Sequence, residues 1–356
     1  MGGISLVKNK WVLCIILLSG LMLGGCSSSR VAEEIAPVYV AGWLYLDDGL
    51  NTFYNNIGVF NEINPVWYNI LRGGMITENT NIAAKTNLVQ MAKLYGVKVI
   101  PTIQNTYAGG GEVVRKIINN PVLRARHVRD LVDLMIRNIN DYDGIDIDYE
   151  ELAESDAPAF SAFIRELSLK LAAFDKVVSV CVYYKSSNSR RYGQYWPELI
   201  EYVDTLKVMV YNYHYSTSRA GPICPTKWLQ GCLEYARLLP GAKDKIIIGL
   251  PLYGYDWNKY GTGKARGVTY KDIQKLMRRH AISPDKIGWD NGESYFTYWE
   301  AGRSHIVYFQ DNIAIWQRYN LVVQYRDAVK GITFWQLGGE DPEIWNLTKK
   351  TQVRQN

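Results

Sequence analysis

The chain predicts an α/β fold, an eight-stranded (β/α)8 barrel with a small α+β insertion between its seventh and eighth strands. Three observations carry that expectation. Apolar runs of strand length alternate with amphipathic helical stretches, which is the pattern of parallel β/α units. Residues 37–356 are too many for an average domain but normal for a barrel with insertions. Finally, one strand-length run carries acids on one side and large apolar groups on the other, as a buried strand with chemistry at its C-terminal end would.

Taken in order, the first 25 residues read as an address. Lys8 and Lys10 form a short basic region, and Trp11 to Leu23 form an apolar run of signal-peptide length. The segment ends Leu23-Gly24-Gly25-Cys26, which resembles a bacterial lipobox, so cleavage before Cys26 and lipid attachment to its sulfur are expected. An uncleaved anchor is the competing reading, although the run is short for spanning a bilayer. Either way the body lies outside the cytoplasm, held to a cell-envelope membrane. Residues 26–36 form a polar tether and 37–350 the barrel.

The candidate strands are Val38–Tyr45, Glu62–Leu71, Val97–Gln104, Gly144–Glu150, Val177–Tyr184, Thr205–Tyr211, Lys245–Leu252 and Gly331–Gln336. Helical patterns lie between them at Asn87–Tyr95, Val122–Asn138, Ala157–Ala173 and Trp228–Leu239. After the seventh strand come a helical piece, Tyr270–His280, and three alternating runs: Ile287–Asp290, Ser294–Glu300 and His305–Gln310. These read as an antiparallel insertion over about 258–312. No tandem repeat or low-complexity stretch is present.

A net charge of +5 without a Lys/Arg cluster argues against nucleic acid as a partner. The compositional anomaly is 26 Tyr and 11 Trp, which suits a sugar-binding cleft, where pyranose C–H faces stack on aromatic rings. The acidic run is Asp143-Gly144-Ile145-Asp146-Ile147-Asp148-Tyr149-Glu150. Asp146, Asp148 and Glu150 share one face, while Ile145, Ile147 and Tyr149 share the other. A solvated strand would not back charge with isoleucine. A calcium loop fits poorly because Gly144 comes too early after Asp141, and a strand-borne metal site has no nearby His. Acid–base chemistry remains, with crowding raising the pKa of one carboxyl.

This run resembles the DG-x-D-x-D-x-E signature of glycoside hydrolase family 18, the chitinases and related N-acetylglucosaminidases. The resemblance implies a TIM barrel and a retaining, substrate-assisted cleavage of N-acetylglucosamine-containing polysaccharide, with no cofactor or metal and a monomeric enzyme. It gives Glu150 the role of proton donor, Asp148 that of orienting the acetamido group, and Asp146 that of tuning Asp148. Asp143 is expected to be chiefly structural, although it is grouped with the residues around the sugar. Met209-Val210-Tyr211-Asn212 is similar to the family's M-x-Y-D, which gives Tyr211 a contact to the acetamido group. Asn212 stands where the family has an acid. Trp335, ending Phe334-Trp335-Gln336, matches the Trp beneath the sugar. Ile248–Trp257, which contains Tyr255, resembles the corresponding segment of bacterial spore-cortex and peptidoglycan glucosaminidases, and Tyr255 joins the substrate-binding candidates. Cys181 reads as core. Cys224 and Cys232 are candidates for a disulfide in a permissive compartment, and His214 is expected to be a bystander.

Overall fold

A computed structural model describes residues 38–78, 85–107, 109–261 and 263–346. The signal segment, Cys26 and the tether lie outside the described residues. Eight parallel strands close into a barrel: β1 Tyr39–Leu44, β2 Glu62–Ile70, β3 Thr102–Gln104, β4 Gly144–Asp148, β5 Val177–Tyr183, β6 Thr205–Met209, β7 Ile246–Pro251 and β8 Gly331–Trp335. Closure comes from β1, which pairs with β2 (Ala41 opposite Glu62) and with β8 (Ala41 opposite Thr333).

The expected third strand is broken in two. Lys98–Val99 pairs with β2, and pairing resumes at Thr102. Pro101 lies in the gap, and it has no N–H to give to a ladder. At the other end, residues 149–150, 184, 210–211, 252 and 336 lie beyond the last paired residues. The apolar patterning runs past the hydrogen-bonded ladder because these residues are still packed at the strand mouths. A short strand, Ile76–Glu78, also folds back antiparallel on the end of β2.

The helices are α1 Asp48–Asn55, α2 Lys85–Leu94, α3 Gly110–Ile118, α4 Pro121–Arg137, α5 Ala157–Leu171, α6 Trp196–Tyr202, α7 Thr226–Arg237, α8 Tyr270–Arg279 and α9 Asn312–Gln324. Of these, α4 shows how the sequence places a helix. The Asn120 side chain accepts from the Val122 and Leu123 N–H groups, Pro121 takes the first position, and His127, Val128, Leu131, Leu134 and Met135 form the buried stripe. Four helices, α1, α3, α6 and α9, were not expected. In α9 the buried stripe includes Arg318 among Ala314, Ile315, Tyr319 and Val322, so a cation interrupts the apolar period.

Ile145, Ile147 and Tyr149 are fully buried against the mantle of helices, where the Tyr149 and Phe163 rings stack 5.8 Å apart. The inside of the barrel is unusually polar. Glu62, Asn64, Thr102, Asp146, Ser179, Lys207 and Thr333 are all buried there or at its wall.

The insertion starts at Gly254, a few residues before the expected boundary. Its five antiparallel strands run in the order Arg266–Val268, Gly254–Asn258, Arg303–Phe309, Glu293–Glu300, Gly288–Asp290. With α8 it encloses its own core of Val268, Ile273, Leu276, Phe296, Tyr298, Val307 and Phe309. A buried carboxylate fastens it to the barrel. Glu293 accepts from the N–H groups of Ile223 and Cys224 and pairs with Arg318 at 3.0 Å.

The candidate disulfide between Cys224 and Cys232 is not formed. Cys224 and Cys232 are free thiols, both fully buried in the main apolar cluster, where each packs as a small hydrophobe. Among the described residues no helix is long and apolar enough to cross a membrane.

Candidate active site

The alternation of β4 turns Asp146 and Asp148 into the barrel, and Glu150 follows just beyond the last paired residue. The three acids sit at increasing height and meet different surroundings. Asp146 is fully buried and surrounded by donors. Trp43 Nε1 and Thr102 Oγ1 donate to Oδ2 at 3.0 and 2.8 Å, and Lys207 Nζ lies 3.1 Å from Oδ1. Burial alone would raise its pKa, but the Lys207 charge and these hydrogen bonds outweigh it and hold the carboxyl below its usual range.

Lys207 is itself fully buried and bridges two acids, with Glu62 Oε1 at 2.6 Å and Asp146 Oδ1 at 3.1 Å. Desolvation opposes its charge. The two carboxylates prevail, so the ammonium is held charged. Tyr39 and Asn64 complete the shell of Glu62 through bonds of 2.9 and 2.8 Å.

Asp148, one step nearer the mouth, has the opposite character. It is 6% exposed, and its Oδ1 has no hydrogen-bond partner. Burial, then the charges of Glu150 and Asp146, push its pKa well above the ordinary carboxylate range. Two neighbouring acids on one strand are thus driven apart, the Asp146 pKa downward and the Asp148 pKa upward, as acid–base sites require.

Glu150 is latched through its backbone. Its N–H donates to Asn105 Oδ1 at 2.8 Å, and its carbonyl accepts from Asn105 Nδ2 at 3.0 Å. The carboxyl accepts a short hydrogen bond from the Tyr183 hydroxyl. Burial raises its pKa, and the Tyr183 bond restrains that rise by favouring the ionised form. A Tyr183→Phe variant should therefore carry a still higher Glu150 pKa. If Glu150 must be protonated to act, the alkaline limb of the pH–rate profile should move to higher pH. A limb that stayed put or moved down would contradict this coupling.

Asp148 and Glu150 open into a cleft of about 910 Å³ lined by Tyr45, Tyr183, Tyr211, Trp335 and others. Trp335 and Tyr45, their rings 5.7 Å apart, form one end of the floor, and buried Trp43 backs Trp335 at 5.8 Å. Tyr211 is half-buried in the lining, and Asn212 follows it with a φ of 62°. Asn212 Oδ1 accepts from the Tyr253 and Tyr255 hydroxyls at 2.7 and 3.2 Å. Tyr255 therefore reaches the site through Asn212.

Asp143 does not belong with the sugar-facing group. It begins the run at the opposite end of β4 and accepts the Val99 N–H at 2.8 Å, tying two strand starts together. Cys181 is buried as expected but within the acid cluster, its Sγ 3.4 Å from Asp146 Oδ2. His214 bonds the Pro222 carbonyl at 2.8 Å and touches none of the acids. Among the described residues no group of three His, Cys, Asp or Glu side chains is placed to hold a metal.

Sequence reasoning missed Asn105, Tyr183, Lys207 and Glu62. Two signals were available. Lys207 is a lone cation inside the apolar run Leu206-Lys207-Val208. Tyr183 shares the strand face of Ser179 and Cys181 and ends it.

The sequence profile of Glycosyl hydrolases family 18 matches residues 57–340. The chain belongs to glycosyl hydrolase family 18. Within the family it is 30% identical over 296 residues to YdhD of Bacillus subtilis strain 168, described as a sporulation-specific glycosylase, covering 81% of this chain and 68% of that one. It is 27% identical over 294 residues to the cortical fragment-lytic enzyme of the same organism, covering 75% and 64%. The fold superposes on the spore cortex-lytic enzyme SleL of Bacillus megaterium QM B1551 with a TM-score of 0.77 at 22% identity, covering 89% of this chain and 74% of the other. Family membership makes the chain a glycosidase, and its TIM barrel is the family's.

Proposed function

We propose that this enzyme cleaves β-linked N-acetylglucosamine-containing glycans, peptidoglycan first among them, by retaining, substrate-assisted catalysis. The observation that carries the reading is the split pair on β4: a cation-bound Asp146 with a lowered pKa beneath a buried Asp148 whose pKa is raised and whose Oδ1 is free to meet a substrate. Family 18 dispenses with a carboxylate nucleophile, and the substrate's 2-acetamido group takes that place.

In this scheme Glu150, whose pKa burial raises, gives its proton to the leaving oxygen. The acetamido carbonyl oxygen attacks C1 as the glycosidic bond breaks, and an oxazolinium forms. Asp148 Oδ1 accepts a hydrogen bond from the acetamido N–H and so orients that group toward C1. Tyr211 hydrogen-bonds the acetamido oxygen, and Trp335 supports the ring from below. Glu150 then removes a proton from water, which opens the oxazolinium with net retention. The spore-cortex descriptions of the relatives support peptidoglycan over chitin.

The test is product release from purified peptidoglycan and from chitin oligosaccharides by residues 27–356. Soluble fragments from peptidoglycan are expected, with β-configured reducing ends. Binding without cleavage of either polymer would overturn the reading. The same proposal places the enzyme outside the cytoplasm, anchored through a lipid on Cys26. Palmitate labelling that a Cys26→Ser variant loses is the expected result, and equal labelling of both would contradict it.

A further inference from the structure

One wall of the cleft holds charge that the acid–base scheme does not use. It is the segment after β5, which contributes Tyr184, Lys185, Ser186, Ser187, Ser189 and Arg191 to the lining. Lys185 is 5% exposed, and its ammonium makes one hydrogen bond, to the Arg191 carbonyl at 2.8 Å. Among the described residues no carboxylate lies within 4.0 Å of Lys185 or of the exposed Arg191, whereas the other buried cations are paired, Lys207 with Glu62 and Asp146 and Arg318 with Glu293. A buried ammonium without a counter-charge is costly. Desolvation, helped by the Arg191 charge and opposed by that of Glu154, lowers the Lys185 pKa to about 8.

The position of the pair suggests what it awaits. The Arg191 guanidinium lies over the Tyr192 ring, 4.7 Å from its centre. That ring packs 4.5 Å from Tyr183, whose hydroxyl binds Glu150. Arg191 is therefore two ring contacts from the acid at the reaction centre and faces the same cleft. An uncharged chitin chain would leave the buried Lys185 ammonium without a counter-charge. A glycan that carries a carboxylate on a neighbouring sugar would supply one, and an anion held between the buried Lys185 and the exposed Arg191 gains charge-assisted hydrogen bonds.

We propose that Lys185 and Arg191 form an anionic subsite that selects carboxylate-bearing N-acetylated glycans over neutral ones. The inference rests on the glycosidase reading above and names the substrate class of that same site. Binding separates the two. Full-length protein in detergent, carrying Glu150→Gln to prevent turnover, is titrated calorimetrically with two probes. One is a disaccharide of N-acetylglucosamine and N-acetylmuramic acid, and the other is di-N-acetylchitobiose.

The acidic probe should bind more tightly, and raising salt should erode that preference. Lys185→Met with Arg191→Gln should reduce the ratio of affinities by roughly tenfold or more, the value of bonds to charged groups. Lys185→Arg, which keeps the charge, should retain most of it. Equal affinity for both probes, or a preference that survives the double substitution, would overturn the subsite. If the double variant loses both probes in proportion, Lys185 only braces the wall and the proposal fails. Absence of turnover by the parent protein would count against the glycosidase reading, while the binding ratio would still decide the subsite.

Discussion

Glu150→Gln is expected to lower turnover on peptidoglycan by at least about 10²–10⁴-fold, the usual contribution of a positioned proton donor. The fold should survive. Glutamine keeps the shape and an oxygen that can accept from Tyr183. The backbone bonds to Asn105 do not involve the side chain. Burial already disfavours charge at this position, so a neutral amide removes little stabilisation. Initial rates beside a thermal melt would check both halves. Retention of more than about a tenth of the activity would remove Glu150 as the acid, since general acid catalysis alone exceeds that factor.

The second large effect concerns stability. Lys207→Met should cost about 3–5 kcal/mol, because it strips the counter-charge from two fully buried carboxylates. The pH dependence has a definite sign. Asp146 has a lowered folded pKa, so its stabilising contribution is present above the ordinary carboxylate pKa and fades as pH falls through the folded value. In the variant that contribution is absent, and acid relieves the unpaired charge. The stability gap between the two proteins should therefore be wide at neutral pH and narrow in acid. Urea unfolding at both pH values would measure it. A loss below about 1 kcal/mol, in the range of an exposed pair, or a gap indifferent to pH would mean that Lys207 does not serve this role. Activity should fall too, because Asp146 would no longer be held as the ionised neighbour of Asp148.

The buried ion pair also explains a difference in what could be read from the chain. Ile147 and Tyr149 declared the outward face of β4 through simple alternation, and all eight strand positions followed from similar local patterns. Local patterns work because a strand's two faces meet different solvents, and that difference is written every second residue. Where a residue's partner is remote, the pattern is silent. Lys207 in β6 looks like an interruption until Glu62 in β2 and Asp146 in β4 are placed around it. Arg318 likewise hid α9, since its acceptor Glu293 and the Cys224 carbonyl lie in other segments.

By itself, then, the sequence determined the barrel class, the insertion before the last strand and the three acids on one face. Each depends on neighbours along the chain. Only the tertiary structure decided which acid has its pKa lowered and which has it raised, because that turns on burial and on donors contributed by β1, β3 and β6. It also moved Asp143 to the far end of the strand, left Cys224 and Cys232 as free thiols, and brought Tyr183 and Asn105 to Glu150. Electrostatic environment falls steeply with distance in space and is indifferent to separation in sequence, so it could be assigned only once the barrel had closed.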